Sequence, residues 1–412
     1  MGRIFLFLIT IRLFSAPLQV PVNAKAAIVM NAETGRVLFE KKGYELAYPA
    51  STTKIATLLY ALIKKGDQLE QEVEVKSYTL SRMNQEMKEA RNYRIPPYWL
   101  QPDGTSIHLQ RGEKISFEAL LYGLMLHSGN DAANVIADYV SGSISTFTRD
   151  LNLYLKKIGC TNTHFANPHG LHFPTHKTTA YDLAKMASCG LKHPTFRKVV
   201  LSKGYNCPKT NKSDVRELVQ KNELIMDGRF HYEGALGIKR GTHSKAGYCL
   251  VAAAKYEGRT LVAVVLGCDD NKSRYRDVIA LFDTAFAEKK VSRKLYNRDE
   301  NLFSKQMKKH LIKARLKDDV SLSYFPAEEP DIQVKVKWKV DALPVYVGMK
   351  VGELQIRDNQ KHVITTCDLL SESDIASPKN HLIWCLIFLP APMVLLVWRK
   401  IHRKPIIPKL WK

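Results

Sequence analysis

No CxxC pair and no regular cysteine spacing occur in this 412-residue chain; Cys160, Cys189, Cys207, Cys249, Cys268, Cys367 and Cys385 are scattered along it. That excludes a cysteine-built metal centre, a disulfide framework and a catalytic thiol motif as organising features, while an oxidising compartment still permits a disulfide among them. Zinc-finger spacings, a homeodomain-like helix and an RNP-type aromatic stretch are absent as well, so no nucleic-acid partner is expected. Internal repeats are not evident. Acidic residues are scarce: 40 Asp and Glu stand against 62 Lys and Arg, a formal net charge of +22. Such an excess favours anionic surroundings, acidic phospholipid and anionic envelope polymer among them. The apolar share of 45% and charged share of 25% are those of a globular protein, and the length suits two domains whose cores need no disulfide staples.

Apolar runs stand at both ends of the chain. Arg3 precedes Ile4-Phe5-Leu6-Phe7-Leu8-Ile9, with Thr10 and Arg12 interrupting, and small residues follow at Ser15-Ala16 and Val22-Asn23-Ala24. This reads as an export signal over 1–24, with a buried strand or helix as the alternative. At the far end Leu382 to Val397 carries no charge and lies between Trp384 and Trp398, as a membrane anchor over 380–398 would. Pro390 and Pro392 would kink a helix there, so a spanning segment and an interfacial insertion both remain open. The tail 399–412 has several Lys and Arg and no acid. By the positive-inside bias it is cytoplasmic, which puts the body of the chain on the outer face of the membrane.

Between these ends, helical and strand patterns mix from 25 to 287, the signature of an α/β or α+β domain. Hairpins are expected at Ala26–Met30 with Gly35–Glu40, and at Tyr248–Ala254 with Thr260–Leu266, the latter joined through Glu257-Gly258. Ser81 to Arg94 reads as a solvated surface insertion. From Glu288 to Leu316 the chain is basic and irregular; Ile332–Trp338 and Lys350–Ile356 then read as strands of a small β domain and spacer over 288–379.

Three short elements carry chemistry. In Pro49-Ala50-Ser51-Thr52-Thr53-Lys54 the apolar residues Ile55, Leu58, Leu59 and Leu62 follow at helical spacing, which places Ser51 at the N-terminus of a buried helix and Lys54 within its reach. A serine hydroxyl needs a base, and a lysine serves only if desolvation keeps it partly neutral. Ser128-Gly129-Asn130-Asp131 opens a second helix: Ser128 suits a proton relay, Asn130 an amide contact to a peptide, and Asp131 a helix start. Lys239-Arg240-Gly241-Thr242-His243 begins a strand, with Lys239 supplying charge and Gly241 allowing close approach.

In this order the elements resemble the SxxK, SxN and KTG set of penicillin-binding proteins and serine β-lactamases. The stretches Gly159 to Leu171, Thr179-Ala180-Tyr181-Asp182-Leu183-Ala184 and Ala246 to Val251 are similar to the low-molecular-mass D-alanyl-D-alanine carboxypeptidases. The resemblance implies an α+β catalytic domain followed by a β domain and an anchor, with no metal and no cofactor. It also implies a peptidoglycan pentapeptide as substrate and β-lactams as acylating mimics. Ser51 would be the nucleophile, Lys54 its base, Ser128 and Asn130 the relay and aligning groups. The backbone N–H groups of Ser51 and Thr242 would form the oxyanion hole.

Where that family usually has KTG, any residue, then Thr, Arg240 and His243 replace two hydroxyls. Arg240 either forks onto the substrate carboxylate or points to solvent and weakens the site. Arg274 resembles the family's carboxylate-binding arginine, with Arg276 close by. A D,D-endopeptidase, a β-lactamase and a catalytically weakened peptidoglycan-binding scaffold stand as alternatives. His164, His169, His172 and His176 lie in a loop without ligand spacing, and no metal is expected there.

Overall fold

A computed structural model describes residues 9–11, 17–359 and 361–376. The expected anchor and basic tail lie outside them, as does most of the expected signal; Ile9–Ile11 is a strand paired antiparallel with Ile332–Val334. Among the described residues no helix is long and apolar enough to cross a membrane. The described chain divides into two compact units, one of 17–291 with 324–329, the other of 9–11, 292–323 and 330–376.

The first unit is built on a five-stranded antiparallel sheet. Its strands are β1 (Ala26–Asn31), β2 (Val37–Lys41), β3 (Ala235–His243), β4 (Gly247–Tyr256) and β5 (Arg259–Cys268), in the spatial order β2-β1-β5-β4-β3. Both expected hairpins form, β1 with β2 and β4 with β5. Alternate residues of β1 face two cores: Ala26, Ile28 and Met30 meet one helical layer, while Ala27 and Val29 meet the other. The first layer includes α1 (Lys54–Lys65) and α2 (Asn130–Ser141). α3 (Asn271–Phe286) packs Tyr275, Val278, Leu281, Phe282 and Ala285 on the opposite face. A sheet covered on both sides leaves β3 as an open edge, and the site is assembled beside that edge.

Arg259 and several neighbours tie segment 324–329 to this unit. Arg259 Nε donates to Glu328 at 2.7 Å, Nη1 to the Ala285 carbonyl at 2.9 Å, and Nη2 reaches Glu288 at 3.3 Å. Its guanidinium lies 3.7 Å from the Phe325 ring centre. Asn31 donates to Glu328 at 2.8 Å, and the Ala327 N–H to Glu288 at 2.8 Å.

The second unit is a six-stranded antiparallel sheet in the order Ile9–Ile11, Ile332–Trp338, Lys350–Arg357, Val363–Ser371, His310–Leu316, Leu302–Met307, with Val291–Tyr296 and Val320–Tyr324 paired separately. The segment expected to be irregular, Glu288 to Leu316, thus holds three strands. Ile312, Ala314 and Leu316 are buried while Lys313 and Arg315 face out, so the alternation is real. The many basic residues of its solvent side obscure it, and such charge also protects exposed strand edges.

The expected surface insertion at Ser81 to Arg94 forms a short helix, Gln85–Ala90, in which Lys88 is buried and donates to the Trp99 carbonyl at 2.5 Å. Its solvated reading holds for its neighbours and fails for Lys88, whose ammonium burial lowers to about 8.

Replacing Arg259 by Met would strand Glu288 and Glu328 and cost about 3 kcal/mol. A urea unfolding curve should show a midpoint clearly below wild type, and an unchanged midpoint would refute this role.

Candidate active site

Ser51 does not lie in an α-helix. Residues Ala50–Thr53 form a 3-10 turn that runs into α1 at Lys54. With three residues per turn, positions i and i+3 eclipse, so the turn stacks Ser51 and Lys54 more directly than the expected α-helical start would. The Ser51 Oγ to Lys54 Nζ distance is 3.0 Å. Ala50, just before Ser51, has φ +49°, a left-handed conformation that L side chains seldom adopt.

Several contacts hold that strained turn. Thr52 Oγ1 donates to the Pro49 carbonyl at 2.7 Å and Thr53 Oγ1 to the Ala50 carbonyl at 2.9 Å. The loop after Ala166 docks against it: Gly170, at φ +91°, lies so close that a Cβ there would be 2.0 Å from the Ala50 oxygen. Thr57 donates to the Pro168 carbonyl at 2.6 Å. His176 Nδ1 accepts the Ala166 N–H at 3.0 Å, which leaves Nε2–H to donate to Thr53 at 2.8 Å. His169 Nδ1 accepts the Leu171 N–H at 3.1 Å, and its Nε2 meets the Tyr98 carbonyl at 3.2 Å. Burial holds both imidazoles well below their ordinary pKa, with the Lys54 charge adding to it at His169. Two of the histidines weighed against a metal are therefore parts of the scaffold around Ser51.

Lys54 is fully buried. Besides Ser51, its Nζ donates to Asn130 Oδ1 at 2.7 Å and to the His169 carbonyl at 2.7 Å. A neutral amine has two N–H bonds and one lone pair. The two carbonyl-type oxygens take the N–H bonds, and the lone pair is left for the Ser51 O–H. Burial lowers the Lys54 pKa from 10.5 to about 7, opposed by the charge of Asp131. Asp131 does more than start α2: its buried carboxylate accepts Ser106 Oγ at 2.6 Å, Ile107 N–H at 3.1 Å and Leu109 N–H at 3.0 Å. Ser128 is buried with φ +64°, a second strained residue lining the same cavity as Ser51, and its carbonyl accepts Thr105 Oγ1 at 2.7 Å.

β3 forms the facing wall. Gly241 approaches the Ser51 turn so closely that a Cβ would stand 2.8 Å from Ser51 N and 3.0 Å from the Pro49 oxygen, so only glycine fits there. Lys239 is buried with no acidic partner among the described residues, its Nζ 3.2 Å from the Arg240 carbonyl. Burial, with Lys54, Arg240, Arg274 and Lys221 around it, pushes its pKa well below the usual value. A cavity of about 220 Å³ opens here, lined by Ser51, Ser128, Arg240, Thr242 and Arg274 and by Lys221. Arg274 lies in the first turn of α3 and donates to Thr242 Oγ1 at 3.1 Å and the Gly241 carbonyl at 3.3 Å. Arg276 is exposed beside Asp270 at 3.9 Å.

The structure thus brings Ser51, Lys54, Ser128, Asn130, Lys239, Arg240, Gly241, Thr242 and Arg274 together. Sequence reasoning missed Lys221, which sits in a loop with no motif, and the His169 carbonyl, a backbone atom that side-chain identity does not report.

A serine backed by a desolvated lysine and faced by a cationic strand edge defines a serine peptidase of the acyl-enzyme type. The chain belongs to the S11 peptidase family, D-alanyl-D-alanine carboxypeptidase, whose model matches residues 14–270. It is 29% identical to the D-alanyl-D-alanine carboxypeptidase DacF of Bacillus subtilis, over 87% of this chain and 86% of that protein. With DacC of Escherichia coli it shares 32% identity over 69% of this chain and 67% of the other. The solved Streptomyces K15 DD-transpeptidase covers 66% of this chain and all of its own length, at 30% identity and a TM-score of 0.56. The DacD carboxypeptidase of Francisella tularensis has the same fold at 22% identity, covering 90% of this chain and 97% of its own, with a TM-score of 0.59.

If Lys54 is the base, its free amine is the active form. The rate of acylation by a penicillin should therefore rise with pH up to about 7 and then level off. A stopped-flow pH series checks this; a rate flat between pH 5 and 8 would rule out a base titrating there.

Proposed function

We propose that the protein is a serine D,D-carboxypeptidase that removes the terminal D-alanine from peptidoglycan stem peptides and is acylated by β-lactams. The observation that carries this reading is the Lys54 amine, held 3.0 Å from Ser51 Oγ with its other two contacts taken by carbonyl-type oxygens. Ser51 Oγ attacks the carbonyl of the penultimate D-alanine while Lys54 takes its proton. The developing oxyanion is met by the backbone N–H groups of Ser51 and Thr242. Arg274, Thr242 and Arg240 hold the terminal carboxylate in the cavity, with Lys221 adding positive charge.

Asn130 ties the Lys54 position to the peptide being aligned. Ser128 passes a proton to the nitrogen of the departing D-alanine, and water then releases the shortened stem from Ser51. Arg240 takes the place of a hydroxyl in this scheme; its position on the cavity wall supports the carboxylate-binding reading over the solvent-facing one. No cofactor is needed by this chemistry.

Mass spectrometry after incubation with benzylpenicillin should show one covalent adduct on the wild type and none on Ser51→Ala, and D-alanine should appear from a pentapeptide. No adduct, or an equal adduct on Ser51→Ala, would overturn the assignment.

The excess of basic residues and the apolar end segments support an exported enzyme tethered at the outer face of the membrane by 380–398. Deleting Leu382 to Lys412 should release activity from the membrane to the soluble fraction; retention in the membrane would refute the tether.

A further inference from the structure

Gly241 is where β3 meets Ser51. Arg240 precedes it and faces the cationic cavity; His243 follows it and enters a different environment. The His172 ring lies 5.6 Å from that of His243, 4.7 Å from Tyr48 and 5.7 Å from Tyr93. These rings come from four separate segments and stand outside the cavity of Arg240 and Arg274. His243 Nδ1 accepts the N–H groups of Lys245 and Ala246, each at 3.2 Å, so the imidazole is neutral with its proton on Nε2. Lys177 Nζ lies 5.2 Å from the centre of the Tyr48 ring.

Beyond Tyr48 a groove of about 730 Å³ runs on, lined among others by Lys25, Lys41, Lys42, Lys245, Glu45 and Asp269. Lys41 is engaged with the Val22 carbonyl at 2.8 Å, Lys42 with Glu45 at 3.5 Å, and Asp269 accepts from Asn23 at 2.9 Å. Among the described residues that leaves Lys25 and Lys245 exposed and without a partner. Glu89 accepts from Gln85 at 2.8 Å and keeps its charge, which acts on His172. The four lysines of the groove, Lys25, Lys41, Lys42 and Lys245, outnumber its two acids, Glu45 and Asp269, so its net charge is positive.

An extended peptide advances about 3.3 Å per residue. His243 stands two residues along β3 from Gly241, the residue that touches the Ser51 turn, about 7 Å on, so a chain with its terminal carboxylate at Arg274 and its scissile carbonyl at Ser51 that continues along β3 covers that distance in about two residues on the acyl side.

We propose that the ring wall and the lysine groove form the subsite for the acyl side of the stem peptide, and that they select stems with a free side-chain carboxylate there over amidated ones. The aliphatic part of the third residue lies against Tyr48, Tyr93 and His172, and its carboxylate end meets Lys245 and Lys25. This rests on the carboxypeptidase reading and goes beyond it, since nothing at the reacting atoms requires a charge at the third residue.

The test uses the full chain and two pentapeptides that differ in one group: a diaminopimelate third residue with its side-chain carboxylate free, or the same residue as its carboxamide. D-Alanine release should give a kcat/KM about fivefold higher for the free carboxylate, carried mainly by KM, and the ratio should shrink in high salt. In Lys245→Gln the ratio should fall toward one, and in Lys245→Glu it should invert. Equal kcat/KM for the two peptides, or a ratio unmoved by both substitutions, would overturn the subsite. Release from neither peptide would instead overturn the carboxypeptidase reading, and the subsite with it.

Discussion

Everything in the site depends on keeping the amine of Lys54 out of water. An exposed lysine is charged at neutral pH and has no lone pair to accept a serine proton. Here the first turn of α1 is buried under the loop that carries His169 and Gly170, and the cost of desolvating an ammonium brings its pKa to about 7. The same burial would destabilise the fold if the group had nowhere to direct its N–H bonds. Asn130 and the His169 carbonyl solve that problem and, in doing so, leave one direction unspoken for, which is that of Ser51. Asp131, close enough to resist the shift, keeps the amine from becoming permanently neutral.

Strain is distributed around this centre in a consistent way. Ala50, next to Ser51, and Ser128, on the wall of the same cavity, are both non-glycine and both left-handed, and each is fixed by its neighbours. The Gly170 contact and the His176 to Thr53 bond hold the first; the Thr105 bond and the Asp131 carboxylate hold the segment of the second. Gly241 completes the enclosure because its missing side chain lets the sheet edge touch the Ser51 turn. The result is a rigid serine between a buried base and a strand edge whose free charges are all positive.

Much of this was legible from residue order, and the reason is locality. Ser51 and Lys54 are three apart in one turn, Ser128 and Asn130 two apart, and Lys239 to Thr242 contiguous, so each element carries its own geometry and only their assembly needs the fold. The hairpins β1–β2 and β4–β5 were legible for the same reason. What sequence did not disclose is non-local or lies in the backbone. The His169 carbonyl has no side-chain signature, and Lys221 comes to the cavity through a loop of unremarkable composition. Lys88 looked solvated because its neighbours are. The strand His310–Leu316 was hidden by Lys313 and Arg315 on its outer face, and the 3-10 geometry at Ser51 differs from an α-helical start only in how tightly the chain is wound.

The central claim is that Lys54 is a neutral base in the resting enzyme near physiological pH. Its direct measurement is an NMR titration of the Lys54 side chain in isotopically labelled protein, assigned by comparison with a Lys54→Met variant. The account predicts a single transition near pH 7, shifted when Ser51 is acylated. A transition near 10, where an ordinary lysine titrates, would contradict it.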